Sequence, residues 1–276
     1  MSRLFMWLIA AGLAALPTSA FAANPGTVDK LLTDYAIATG LDIADLPDDE
    51  LAQLSKGKTI YRKLLNKQNP ASTQLRIIGY RVISKPRENL WLAALAYDAG
   101  YSRRLTEHLV ALHDRGGASW YQHVDMPWPL RNRHWLIRTR KNVDMANESE
   151  DRIWEHSWQL VDNADQAIDR LLATTAIDGL DSDKARNAIR LPLNNGAWVM
   201  AHMDNDTTLV IMHATMDMGG VIPDGIVARY TRRQLAAALK KIERDADTAR
   251  SRYDSNYVIY RGNGSPIDPD DQLTYE

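Results

Sequence analysis

The chain has 276 residues, of which 45% are hydrophobic and 25% charged, proportions that exclude disordered, collagen-like and low-complexity proteins. Its 33 basic side chains nearly balance 35 acidic ones, and the lack of a long basic run argues against nucleic-acid binding. Because the chain has no cysteine, thiol catalysis, thiolate metal sites and disulfides are excluded as well.

The first 22 residues have the pattern of a secretory signal peptide. Arg3 precedes an apolar run over residues 4–16, Pro17 breaks this run, and Ala20-Phe21-Ala22 fits a small-x-small cleavage site. An uncleaved membrane anchor is the alternative, but the run is shorter than the ~20 apolar residues that span a bilayer. We therefore expect cleavage near Ala22 and a periplasmic or secreted location.

The next part of the chain shows two helices, a hairpin and a third helix. Residues 28–38 repeat apolar side chains at helical spacing, and acidic residues after Leu46 are typical of a helix start. Residues 58–65 and 75–84 read as two strands of a hairpin. Pro86 begins the third helix, whose apolar stripe faces a core.

A period of two then dominates for about a hundred residues and predicts an antiparallel sheet built from hairpins. The predicted strands are 105–113, 119–125, 133–140, 153–161, 185–193, 197–204 and 208–216. Between them, the polar segment 162–183 has helical leanings and is expected to cover one edge. From Pro223 the helical period returns and predicts a long helix to Ala249, followed by a loose tail over residues 255–276.

This order of elements is typical of an α+β helix-grip fold. In such a fold, a curved antiparallel sheet closes around a long C-terminal helix, here with short N-terminal helices in addition. No linker divides the chain, so we expect one mature domain over residues 46–254, preceded by a helical extension at 23–45.

Three stretches carry a resemblance to a known family. In residues 79–91 a strand leads into a Pro-started helix with a Trp in its second turn, and 127–133 form a Pro-rich corner. Trp198 and 208–212 are followed by an Asp-x-x-Gly-x-x-Pro bend at 217–223. Together they resemble the START (steroidogenic acute regulatory protein-related lipid transfer) family of the Bet v 1-like (SRPBCC) superfamily, and the match spans roughly residues 46–250.

Two positions depart from the family pattern. His134 stands where an Asp usually follows the Arg, and Met212 stands where an aromatic residue is common. The first departure removes the acidic partner with which the preceding arginine, Arg133, would form an internal ion pair. An isolated buried charge is costly, so Arg133 either holds a polar ligand head or water, or pairs with Asp125 or Glu155.

The resemblance implies a binding module without catalysis, cofactor or metal. Its partner would be a lipid, a sterol or another hydrophobic small molecule in an internal cavity, for transfer or sequestration. The long helix would roof this cavity and open during transient contact with a membrane surface. We expect a monomer that binds no nucleic acid.

Alternation within the strands and the apolar stripe of the long helix select most of the side chains that would line the cavity, and His123 is added as a polar group that could give selectivity. These cavity candidates are His123, Arg133, Trp135, Ile137, His156, Trp158, Trp198, Met200, His202, Val210, Met212, Met216, Ile226 and Tyr230. The alternative is that the tryptophans and methionines fill a solid core.

Two other functions stay open at this level. The first is an enzyme on the same fold, such as a polyketide cyclase or aromatase-like lyase or a hydrolase, with His156 or His202 facing Arg133 for acid–base chemistry. The second is an envelope protein with a solid interior and a protein partner. The histidines do not have a recognised metal-ligand spacing, so we expect no metal site.

Overall fold

The computed structural model describes residues 23–43, 45–65, 75–95, 104–128, 130–203, 206–219, 224–253 and 258–267. The predicted signal peptide, residues 1–22, lies outside these ranges, so its cleavage stays a prediction.

Helix α1 (Pro25–Thr39) and helix α2 (Asp48–Leu54) come first. The side chain of Asn24 caps α1 by accepting a 2.8 Å hydrogen bond from the backbone N–H of Gly26, and Gly40 ends it in the left-handed conformation with φ 66°. Three acidic residues fill the first turn of α2, where they oppose the positive end of the helix dipole. Sequence and local structure agree in this region.

Nine of the strands within the described ranges form one large sheet. They are β1 (Ile60–Leu65), β2 (Leu75–Ile83), β3 (Leu105–His113), β4 (Gly117–Val124), β5 (Arg133–Lys141), β6 (Ile153–Leu160), β7 (Ile189–Arg190), β8 (Leu193–His202) and β9 (Thr208–Asp217). Their order is β1-β2-β9-β8-β6-β5-β4-β3, with every neighbouring pair antiparallel, and the short β7 adds a parallel pairing to β5.

Helices cover both faces of this sheet. The later helices are α3 (Arg87–Leu95), α4 (Val143–Glu148), α5 (Asp165–Thr174), α6 (Ser182–Arg186) and α7 (Asp224–Asp245). On one face α3 and α7 form a core with Ile77, Met200 and Val210. On the other face α1 and α2 pack against β2, β8 and β9, and α5 packs against β4 and β5.

Helix α7 packs closely on Gly79 of β2. A Cβ atom built on Gly79 would lie 2.1 Å from Cδ2 of Leu235 and 3.1 Å from Cδ1 of Leu239, so a glycine lets the helix settle on the strand. Further along, Arg81 and Glu243 form a 2.8 Å ion pair between β2 and α7. The predicted helix-grip arrangement, an antiparallel sheet with a long C-terminal helix across it, is confirmed.

The structure corrects the prediction of a strand at 185–193. This segment contains the end of α6 and the two residues of β7 instead, because the Asp181 side chain caps α6 by accepting a 2.8 Å bond from the N–H of Lys184. Residues 194–196, which separate two of the predicted strands, lie inside β8. A Cβ at Gly196 would lie 2.4 Å from Cζ2 of Trp158, so this glycine accommodates an indole ring and does not mark a turn.

Part of the expected loose tail is folded. Strands β10 (Ile259–Tyr260) and β11 (Pro266–Ile267) form a small hairpin. The carbonyl of Tyr260 accepts a 2.9 Å bond from Nε1 of Trp91, and Nε of Arg261 donates a 2.7 Å bond to Glu88. These contacts hold the hairpin against α3.

Candidate functional site

A cavity of about 270 Å³ lies between the sheet and helices α3 and α7. Side chains from β3 at one edge and from β9, five strands away, border the same space. Strands spaced about 4.8 Å apart would separate β3 and β9 by roughly 24 Å in a flat sheet, so the sheet must curve around the cavity. The inward-facing surface is hereafter the concave face. A solid interior is therefore wrong for this part of the molecule.

Four tryptophans from four neighbouring strands dominate the strand side of the wall: Trp120, Trp135, Trp158 and Trp198. Two of these rings are held by side-chain amides next to the cavity. Nε1 of Trp135 donates a 2.6 Å bond to Oε1 of Gln122, and Nε1 of Trp158 donates a 3.0 Å bond to Oδ1 of Asn194. The cavity therefore has aromatic walls, and the indole N–H groups of Trp135 and Trp158 already have partners.

Aliphatic and thioether groups complete the wall. The strand side adds Leu105, Val124, Ile137, Met212, Ala214 and Met216, and Met218 follows the last of these strands. The roof consists of Ala94 and Leu95 from α3 and of Thr231, Gln234, Leu235 and Ala238 from α7. Such a surface favours an apolar ligand, and methionines adapt readily to irregular shapes.

Only two ionisable side chains lie on the described wall, Glu107 and His156. Glu107 accepts a hydrogen bond from the amide of Gln122. His156 lies on β6, and its Nδ1 atom is shielded from water without a hydrogen-bond partner. Burial, reinforced by the nearby positive charge of Lys141, lowers the pKa of His156 to about 3, so its imidazole is neutral at pH 7.

Seven of the fourteen cavity candidates lie on the wall. They are Trp135, Ile137, His156, Trp158, Trp198, Met212 and Met216. The side chains of two others, Ile226 and Tyr230, fall outside what the structure describes. The remaining five lie elsewhere, for four different physical reasons.

Met200 and Val210 are on the concave face but beyond the end of the cavity, where α3 and α7 pack directly onto the sheet. His202 is at the exposed end of β8. His123 points to the opposite face, because Trp120, Gln122 and Val124 are the inward-facing residues of β4.

Arg133 is on the concave face but outside the wall, and it is 2% exposed. Its Nε atom donates to the carbonyl of Met218 at 2.6 Å, Nη2 donates to that of Gly219 at 3.0 Å, and Nη1 donates to that of Arg131. Backbone carbonyls thus take the place of the expected pairing with Asp125 or Glu155. Arg133 fastens the segment before α7 to β5, and neither His156 nor His202 faces it across the cavity.

Sequence reasoning missed several wall residues. Trp120 and Gln122 lie two residues apart on one face of β4, as Trp135 and Ile137 do on β5. The same period-two argument could therefore have found them. Glu107 and Asn194 could not be recognised in this way, since their role depends on contacts with Gln122 and Trp158 across strands.

A buried polar cluster lies on the opposite face, beneath α1. The hydroxyl of Tyr35 donates a 2.7 Å bond to Glu155 and lies 3.0 Å from Nε2 of His213. Burial, with a smaller contribution from Arg76, lowers the pKa of His213 to about 4. Tyr35 lies on α1, whereas Glu155 lies on β6 and His213 on β9. Their hydrogen bonds therefore attach α1 to the sheet on the side away from the cavity.

Within the described ranges, no three side chains of the ligating types come together in a way that could hold a metal ion. In the same ranges, no helix is both long and apolar enough to cross a membrane.

No protein-family model and no curated protein matches the chain. Among solved structures, human StAR-related lipid transfer protein 5 superposes with a TM-score of 0.51 at 8% identity, covering 81% of this chain and 97% of that one. Human STARD10 gives 0.47 at 12% identity, covering 74% and 82%. A STAR-related lipid transfer protein fragment from Xanthomonas axonopodis gives 0.46 at 13% identity, covering 68% and 98%. The first likeness shows that the chain has a START-like fold.

Proposed function

We propose that this START-like protein binds a single hydrophobic molecule, of lipid or sterol class, in the cavity beneath α7, for transfer or sequestration. The observation that carries the proposal is the cavity of about 270 Å³, bordered mainly by tryptophan, methionine and aliphatic side chains. A volume close to the lower end of the ~300–1,000 Å³ typical of small-molecule pockets favours one ligand. Its affinity would come mainly from burial of apolar surface, at about 25 cal/mol per Å².

The proposal includes export and a transient contact with a membrane. Export is supported by the signal-peptide pattern of residues 1–22. Membrane contact is supported by Trp128, which is 92% exposed between β4 and β5. Its near neighbour in the chain, Met126, packs against the core cluster at one end of the cavity, with Val124 and Trp135. An exposed indole suits a membrane interface because it has an apolar body and one polar N–H group.

The binding proposal can be tested with N-phenyl-1-naphthylamine, a neutral fluorescent probe that brightens in apolar surroundings. We expect saturable binding of one probe per chain, energy transfer from the wall tryptophans to the probe, and displacement by an unlabelled lipid. The matched variants are Met212→Trp, which fills wall space, and Met203→Trp, at a buried position in the core under α1 and α2. Binding should weaken in the first variant only. Absence of saturable binding, in a preparation with no lipid already bound, would refute the proposal.

A further inference from the structure

His156 is the described wall residue whose hydrogen-bonding capacity is visibly unused. Its imidazole borders the cavity, and because the Nδ1 atom is enclosed by protein, Nε2 is the ring nitrogen that a ligand can reach. By contrast, the polar atoms of Gln122 and Asn194 on the same wall already bind the indoles of Trp135 and Trp158.

The surroundings of His156 are those of a neutral imidazole. On one side, its backbone pairs with that of Lys141, whose ammonium group donates a 2.8 Å bond to the carbonyl of Gly116. On another side, the ring of Trp91 meets the imidazole edge to face, with ring centroids 6.1 Å apart. Burial and the charge of Lys141 depress the pKa of His156, in agreement with this neutral form. A neutral imidazole offers one N–H donor and one lone pair.

The charge of the wall restricts the ligand further. The described wall has one carboxylate, that of Glu107, and no lysine or arginine. An anionic head group placed in the cavity would lose its hydration without meeting a compensating cation there. A hydroxyl group carries no charge and can both donate and accept, so it can bind Nε2 of the neutral imidazole whether that atom carries the proton or the lone pair.

We infer that the cavity selects a neutral ligand that carries a hydroxyl group, and that His156 is the specificity-determining residue that binds this hydroxyl. The inference rests on the proposed binding function and narrows its ligand class to alcohols and phenols, as opposed to carboxylates and pure hydrocarbons.

The test uses three probes of similar shape at pH 7: 1-naphthol, 1-methylnaphthalene and 1-naphthoate. Each is titrated against the purified protein by displacement of N-phenyl-1-naphthylamine. An apolar wall alone would bind 1-methylnaphthalene more tightly than 1-naphthol, because moving a hydroxyl group out of water costs free energy. We expect the wild-type protein to bind naphthol at least as tightly as methylnaphthalene, and naphthoate most weakly.

The decisive quantity is the ratio of the methylnaphthalene Kd to the naphthol Kd. In His156→Phe this ratio should fall about tenfold, the effect of one buried hydrogen bond, while methylnaphthalene still binds. In His156→Gln, which keeps a donor and an acceptor, most of the ratio should return. His202→Phe is the control at an exposed strand end, and its ratio should equal that of the wild type.

Several results would overturn the inference. One is an unchanged ratio in His156→Phe, and another is a wild-type preference for naphthoate or for methylnaphthalene. If His156→Phe does not fold, His156→Leu takes its place, and the inference requires a ratio that falls in His156→Leu but stays near the wild-type value in His156→Gln. Saturable binding without hydroxyl preference would leave the proposed function intact, whereas failure of every probe would refute that function itself.

Discussion

Ala94 offers the sharpest test of whether the cavity is real space in solution. Its methyl group borders the cavity from α3, whereas Ala93, the preceding residue, is buried in the core between α3 and α7 and does not border the cavity. Leucine adds three carbon atoms to an alanine. In Ala94→Leu these carbons would enter empty space, and at about 0.8 kcal/mol per buried carbon the free energy of unfolding should rise by up to about 2 kcal/mol.

The same substitution at Ala93 should have the opposite sign. Extra carbons in a packed core force neighbouring side chains out of position and cost about 1–3 kcal/mol. Urea unfolding followed by tryptophan fluorescence measures both variants, and a gain of 2 kcal/mol corresponds to a rise in Tm of about 4–8 °C. Affinity for N-phenyl-1-naphthylamine should fall in Ala94→Leu only. If Ala94→Leu destabilises as much as Ala93→Leu, the space beside Ala94 is filled and the reasoning fails.

Three further predictions concern other parts of the molecule. Trp128→Ser should weaken sedimentation with phospholipid vesicles without changing Tm, and equal vesicle binding by both proteins would remove Trp128 from the membrane contact. Arg133→Leu should lower the urea-unfolding free energy by at least about 2 kcal/mol, because the buried carbonyls that Arg133 binds lose their donor; wild-type stability would contradict this role. As the pH falls from 6.5 to about 4.5, His213 should lower the free energy of unfolding by about 1 kcal/mol per pH unit. The reason is that its imidazole gains a proton in this range only in the unfolded state. The loss should be absent above pH 7, and an equally steep loss in His213→Gln would contradict this assignment.

Periodicity predicted the fold because each element obeys its own local rule. The alternation of Trp135 and Ile137, for example, places both on one face of β5 whatever their neighbours do. The same rule predicts cavity-lining residues on β6, β8 and β9, and some of these, such as Trp158 and Trp198, border the cavity. Local rules do not say how far along a strand a cavity extends, which is why Met200 and Val210 were included although helices cover them.

The remaining differences come from contacts between distant segments. Alternation cannot tell which of the two faces of β4 is concave, and His123 lies on the face away from the cavity. The segment Asn194-Asn195-Gly196 has the composition of a turn. Gly196 nevertheless lies within a strand, where its missing side chain leaves room for the indole ring of Trp158 from another strand. The sequence predicts an ion pair between Arg133 and a carboxylate as one alternative. In the structure its guanidinium group donates hydrogen bonds to backbone carbonyls instead, among them those of Met218 and Gly219.

The most direct test of the central claim is native mass spectrometry of the protein purified from an exported fraction without detergent. The account predicts a population carrying one apolar molecule per chain, released on denaturation and identifiable after extraction, and a smaller bound fraction in Ala94→Leu. A protein that is entirely free of bound molecules, and that takes up no lipid or neutral ring compound when these are added, would contradict the account.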